Sequence, residues 1–240
     1  MPSSMHNPAG LLSLEGMGFL LFCLAGAVAL LAYARKELRE TLRRRATLLD
    51  DAAGLLDNPR VTISRDGFPA LSGTWRGHAI GMELIADSLV PRRLPQLWLK
   101  STLIAQHPSP RPSIGVLARP AGTEFYSRVQ GLPDTIVPTF PLDFPFLMRG
   151  RDATDAQVRR AGGPLRALFS DPQVKEAVIT PRGAGLVRQI AEGERGAHIL
   201  YRQMRFPVEQ VPVELARKAL AELQMLNSAL ETRPADAEVS

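Results

Sequence analysis

The chain has 240 residues, and its 29 basic and 24 acidic side chains give a net charge of +5 at pH 7. A single cysteine excludes an intrachain disulfide framework. The basic excess does not extend along the chain, because residues 46–240 carry 23 basic and 21 acidic side chains. This near-neutral body argues against nucleic acid as the main partner, since phosphate binding needs a basic face.

The most distinctive segment is an uncharged apolar run from Met17 to Ala34. As a helix, its 18 residues rise about 27 Å, slightly less than the hydrocarbon core of a bilayer, which is about 30 Å thick. Extension back to Leu11 closes the gap. The pattern predicts a transmembrane helix over residues 11–34, preceded by a short extracytoplasmic tail over residues 1–10.

The charges that flank this run predict its orientation. Residues 1–16 contain no Lys or Arg, whereas the 11 residues after Ala34 contain six. Because such residues are retained on the cytoplasmic side, we expect a single-pass inner-membrane protein with its N-terminus outside and its C-terminal domain in the cytoplasm. The cluster could also contact anionic lipids, or it could set the topology alone. Its members are Arg35, Lys36, Arg39, Arg43, Arg44 and Arg45.

A cleaved signal peptide is the main alternative, since Ala32-Tyr33-Ala34 has the form of a cleavage site. Three features favour a retained anchor. The chain has no basic N-terminal region, the apolar run exceeds the usual length of about 7 to 15 residues, and basic residues directly follow the possible cut.

The remaining chain predicts an α+β fold. Apolar spacing predicts a basic juxtamembrane helix over residues 35–58, ended by Asn58-Pro59. We expect one cytoplasmic domain over residues 59–233 and a disordered tail over 234–240. Similar patterns after Pro59 and Pro172 suggest a two-unit repeat, with units over about 59–130 and 164–233.

Within the domain, short alternating runs bounded by Gly and Pro predict antiparallel strands in meanders. A long amphipathic helix after Pro212 should close the domain, with an apolar stripe that includes Leu220 and Leu223. Glycines 162 and 163 should break another helix into two. The predicted strands are 70–75, 78–85, 94–105, 114–118, 174–180, 185–191 and 197–206, with an irregular stretch over 133–145.

The search for chemistry gives no catalytic, cofactor-binding or metal-ligating motif. The four histidines lie far apart in sequence, and no nucleophile elbow or phosphate-binding loop is present. Trp75, Trp98 and Lys100 form the candidate interaction surface, because aromatic side chains are enriched at interfaces. Packing of both tryptophans into the core explains them equally well.

These observations predict a membrane-anchored protein whose cytoplasmic domain acts in protein interaction or scaffolding at the membrane surface. A membrane-tethered enzyme with a dispersed site is one alternative, and it predicts a pocket that joins distant residues such as Asp143 and Arg182. A sensor of a small ligand or lipid is the other.

Overall fold

A computed structural model describes residues 14–89, 93–201 and 204–230. The chain divides between Arg44 and Arg45 into two units. In chain order the elements are α1 (Leu14–Ala46), α2 (Asp50–Ala53), β1 (Asp57–Ile63), β2 (Pro69–Trp75), β3 (His78–Asp87), β4 (Gln96–Ile104), β5 (Ser113–Ala118), a 3₁₀ turn (Val129–Gly131), β6 (Asp134–Thr135), β7 (Phe146–Arg151), α3 (Asp155–Phe169), β8 (Val174–Thr180), β9 (Gly183–Glu192), α4 (Arg195–Tyr201) and α5 (Val213–Ser228).

The first unit contains most of α1, a helix of 33 residues. Its most apolar 18-residue window has a mean hydropathy of 2.2, and none of that window is buried. Phe19 and Phe22, for example, are 70% and 77% exposed. By length and composition, α1 is the one helix among the described residues that could cross a membrane. The predicted tail, the first residues of the predicted span and the predicted C-terminal tail lie outside the described residues.

The predicted helix over residues 35–58 is wrong in its second half. α1 ends at Ala46, only the single turn of α2 follows, and β1 begins at Asp57. The apolar residues that suggested a longer helix pack into the domain instead, since Leu49 and Ala52 are fully buried in its core. Asn58, which was expected to end the helix, lies within β1 with a φ of 52°, a left-handed conformation that Asn tolerates.

The second unit is an α+β domain built on a nine-stranded sheet in the order β1-β2-β3-β4-β9-β8-β5-β7-β6. All neighbouring strands are antiparallel, as the meander pattern predicted. The predicted two-unit repeat stays a prediction. Both of its proposed halves contribute strands to this one sheet.

The main core lies between one face of the sheet, here called the helix face, and helices α3 and α5. Alternate residues of β4, namely Leu97, Leu99 and Leu103, point into this core, and α5 contributes Leu220 and Leu223. All five are at most 2% exposed. The predicted amphipathic helix at the end of the domain is confirmed, and its apolar stripe covers the centre of the sheet.

A buried arginine joins α5 to the helix face. Arg188 in β9 is 1% exposed, and its guanidinium pairs with Asp171 and with both carboxylate oxygens of Glu222 in α5. Burial alone would raise the pKa of Asp171, but hydrogen bonds from Lys218, from the backbone N–H of Gln173 and from Arg188 lower it to about 2. The Asp171 carboxylate therefore stays charged and holds the guanidinium.

A second arginine secures the end of α5. Arg111 is 7% exposed and donates to the Thr180 carbonyl at 2.8 Å and to Asn227 Oδ1 at 2.6 Å. It also donates to the Asn227 carbonyl, which lies in the last turn of α5 where helix carbonyls need donors. The two arginines thus attach the middle and the C-terminal end of α5 to the sheet.

Three local predictions fail. α3 runs unbroken through glycines 162 and 163, because Gly162 lies against the Phe140 ring and the helix buries an apolar face. Over residues 197–201 the predicted strand is instead part of helix α4, because both edges of the preceding strand β9 are already paired, with β4 and β8. β7 was missed, since the prolines before it and the charges within it hid the strand signal.

Replacing Arg188 with Met should lower the free energy of unfolding by about 3 kcal/mol, because two partly buried carboxylates lose their buried cation and keep only the half-exposed Lys218 beside them. Urea unfolding of the full chain in detergent, followed by tryptophan fluorescence, measures this change. Arg182→Met, at an exposed turn position, is the matched control and should change stability by less than about 0.5 kcal/mol. Equal losses in the two variants would contradict this role of Arg188.

Candidate functional site

The face of the sheet opposite the helices, here called the open face, carries a separate aromatic cluster. It consists of Ile85, Trp98, Tyr126 and Val187, each at most 9% exposed. Trp98 pairs with Ile85 in β3, so both side chains project from the same face. Tyr126 comes from the loop between β5 and the 3₁₀ turn, and its ring centroid is 5.9 Å from that of Trp98. This loop covers part of the open face where no helix packs.

A cleft of about 280 Å³ lies beside this cluster, between the ends of β3, β4 and β9 and the loop after β5. Its walls combine aromatic rings with charged side chains, a mixture that suits a polar ligand. The lining residues that bear on its chemistry are Asp87, Trp98, Arg119, Glu124, Tyr126 and Lys175.

A buried ion pair forms one wall of the cleft. Lys175 Nζ lies 2.8 Å from Glu124 Oε1, and the two side chains are 7% and 2% exposed. Lys175 also donates to the Arg119 carbonyl at 2.7 Å, and the backbone N–H of Ala121 donates to Glu124. Burial opposes the charge on Glu124, but the hydrogen bond from Lys175 and the one from Ala121 outweigh it and lower the pKa of Glu124. The pair is therefore charged and internally satisfied.

Glu176 holds the other end of the same loop. It is 2% exposed and accepts hydrogen bonds from the Ser127 hydroxyl and from the backbone N–H of Arg128. Burial raises the pKa of Glu176, although both hydrogen bonds favour its charged form. Two neighbouring residues of β8, Lys175 and Glu176, thus fix the loop that carries Tyr126.

Two buried polar atoms at the cleft have no hydrogen-bond partner among the described residues: Trp98 Nε1 and Tyr126 Oη. Their side chains are 8% and 5% exposed. Burial raises the pKa of Tyr126, and the negative charges of Asp87, Glu124 and Glu176 raise it further, so its phenol stays protonated. Each unpaired buried donor costs about 1–3 kcal/mol.

The described residues include no group of three or more His, Cys, Asp or Glu side chains placed to hold a metal ion. Asp143 and Arg182, the pair named for a dispersed enzyme site, are both exposed and line neither this cleft nor the hollow around Lys100. The arrangement at the cleft can bind and orient a polar group.

The structure separates the three residues of the predicted interaction surface. Trp75 packs against the main core on the helix face, and the Arg76 guanidinium lies 4.6 Å from its ring centroid. Trp98 is buried on the open face. Lys100 shares that face but lines a different, shallow hollow of about 270 Å³, together with Glu83. The two tryptophans therefore do not form one surface.

The basic cluster is also divided. Arg45 turns onto the domain, where it donates to the carbonyls of Asp66 and Met204 at 2.9 and 2.8 Å and lies 4.7 Å from the Phe68 ring centroid. The other five members are exposed: Arg35, Lys36, Arg39, Arg43 and Arg44.

No pattern in the sequence singles out Asp87, Glu124, Tyr126 or Lys175. They come from β3, a loop and β8, and no spacing in the sequence links them. Only Trp98 was noted, from its alternation with Leu97 and Leu99 in β4. The pairing of β3, β4, β9 and β8 in the sheet brings these residues together.

Replacing Lys175 with Met should lower the free energy of unfolding by about 3 kcal/mol, because the buried Glu124 carboxylate loses its cation. Urea unfolding measures the loss. Lys100→Met is the control, since the partly exposed Lys100–Glu83 pair at 4.0 Å should contribute less than about 1 kcal/mol. If Lys175→Met were no more destabilising than this control, the ion pair would not hold the loop.

No family model matches the chain, and no curated protein matches it. Among solved structures it is similar to the crystal structure of the mycobacterial trehalose monomycolate transport factor A, TtfA. The two share 11% sequence identity with a TM-score of 0.40, over 80% of this chain and 96% of that chain. A similarity this low does not indicate that the two proteins share a function.

Proposed function

We propose that α1 anchors this protein in the inner membrane and that the α+β domain binds a protein partner at the cytoplasmic membrane surface. The observation that carries the proposal is the exposure of α1. Its 18-residue apolar window has no buried part. A soluble protein rarely leaves so long an apolar helix without cover, whereas a bilayer provides that cover.

The distribution of charge supports an N-terminus outside and a domain in the cytoplasm. Six basic residues follow the apolar run and none precedes it, which is the asymmetry that orients spanning helices. Arg45 is engaged by the domain, whereas the other five basic residues are exposed. Near a charged membrane, each could contribute about 1 kcal/mol of attraction.

The edge of the sheet supports the binding of a protein partner. β1 is an edge strand, and all seven of its residues are exposed. Val61 and Ile63 expose 44% and 50% of their surface. Such an edge can accept an extended segment of a partner as an additional strand, while Pro59 and Arg60 limit self-association.

Cysteine labelling tests the anchor and its orientation together. In a Cys23→Ser background, a membrane-impermeant maleimide applied to intact cells should label Ser4→Cys but not Asp143→Cys. Disruption of the cells should make Asp143→Cys reactive, because that residue is exposed on the domain. Labelling of Asp143→Cys in intact cells would contradict the orientation. Recovery of a soluble chain that begins at Arg35 would contradict the retained anchor.

The double substitution Val61→Lys and Ile63→Lys should reduce recovery of a copurifying partner at least about tenfold, because charges on an edge strand oppose strand addition. Affinity purification from detergent-solubilised membranes with quantitative mass spectrometry measures this recovery. Ile104→Lys is the control, since Ile104 is 53% exposed but lies on an interior strand of the sheet. Equal partner recovery from both variants would exclude β1 as the docking edge.

A further inference from the structure

Asp87 is a buried carboxylate at the end of β3 that lines the cleft. It is 5% exposed, and its Oδ1 accepts a hydrogen bond from the backbone N–H of Leu89 at 3.0 Å. Among the described residues, no Lys or Arg side chain forms an ion pair with it. Buried charges are normally paired, because removing a charge from water is costly.

Three basic side chains line the cleft, of which Lys175 and Arg119 are engaged by the protein, whereas Arg93 is exposed and shares the lining with the exposed carboxylate of Glu192. Lys175 is neutralised by Glu124 at 2.8 Å. Arg119 donates to the carbonyls of Pro172 and Val174 at 2.6 and 3.2 Å, and its guanidinium lies 5.0 Å from the Phe144 ring centroid. Of the charges that line the cleft, that of Asp87 alone is both buried and without an ion pair among the described residues, so water screens it less than the charges of the exposed Arg93 and Glu192. An anionic ligand is therefore disfavoured next to Asp87. A cationic group would complete the site instead.

Tyr126 and Trp98 add to this chemistry. Both rings line the cleft together with Asp87, and aromatic rings favour bound cations. Tyr126 Oη can accept a hydrogen bond from a cation, while Trp98 Nε1–H can only donate and needs an oxygen. Neither atom has a partner among the described residues. A ligand with an ammonium group and a nearby oxygen would satisfy all three groups.

We propose that this cleft binds the primary ammonium group of a small amino alcohol, either free or as the headgroup of a lipid. Asp87 supplies the opposite charge, Tyr126 Oη accepts a hydrogen bond from the ammonium, and Trp98 Nε1 donates to the ligand oxygen. The two unpartnered atoms are buried, so they pair with a ligand only after their side chains rotate toward the cleft, while Lys175 and Glu176 continue to hold the backbone of the loop. This site goes beyond the proposed function and does not depend on the anchor or on a protein partner.

The test uses the full chain in detergent with Trp75→Phe, which leaves Trp98 as the sole tryptophan reporter. Ethanolamine should give a saturable change in Trp98 emission, whereas the uncharged analogue ethylene glycol should give none. Adding Asp87→Asn should weaken ethanolamine binding at least about tenfold. Adding Asp143→Asn, which removes an exposed carboxylate in a loop, should leave the affinity unchanged.

Thermal unfolding distinguishes a binding role of Asp87 from a structural one. The amide oxygen of asparagine can still accept from the Leu89 N–H. Asp87→Asn should therefore leave the melting temperature unchanged or raise it, since an unpaired buried charge is removed. A large fall in melting temperature would show that the carboxylate is structural and would overturn the proposal. So would an ethanolamine affinity that Asp87→Asn leaves intact, or the absence of a saturable response.

Nanodiscs of two lipid compositions distinguish a lipid headgroup from a free amino alcohol as the source of the ammonium group. If the ligand is a lipid headgroup, phosphatidylethanolamine nanodiscs should shift Trp98 emission relative to phosphatidylcholine nanodiscs and should weaken binding of added ethanolamine. If it is a free amino alcohol, both nanodiscs should give the same emission and the same affinity for ethanolamine. Either pattern supports the site, provided that Asp87→Asn abolishes the response.

Discussion

The packing of α5 against the helix face of the sheet is the contact on which the rest of the domain depends. Leu220 and Leu223 bury this helix over β4 and β9, at the centre of the strand order. Burying each leucine contributes about 1.5–3 kcal/mol. Arg188 and Arg111 then set the position of the helix, because a buried guanidinium is tolerated only where its acceptors are in place.

Because the helices pack on one face of the sheet, the cleft lies on the other, open face. The helices pack against the leucines of β4 on the helix face. On the open face the same strand carries Gln96, Trp98, Lys100 and Thr102. Only a loop covers part of that side, and it is held by Lys175 and Glu176 of β8. A loop fixed at a few points leaves space between itself and the strands, and this space is the cleft.

The net charge of the protein is distributed unevenly along the chain. The basic excess is concentrated after the apolar run, whereas the domain beyond it is nearly neutral. In the sequence, the near-neutral domain therefore follows the basic segment, and the charge asymmetry belongs to that segment alone. Arg45 links the two features in the sequence, since it is part of the basic cluster but is held by Phe68 and by the carbonyl of Asp66.

The sequence by itself determined the apolar helix, the α+β class, most of the strands and the C-terminal helix. These follow from local periodicity, as in the alternation of Leu97, Leu99 and Leu103. Only the tertiary structure decided where Leu49 and Ala52 are buried, why α3 continues through Gly162, and which face each tryptophan takes. The cleft depends on it entirely, because Asp87, Tyr126 and Lys175 come from three separate segments that meet through strand pairing. Pairing between distant segments leaves no periodic signal in the chain.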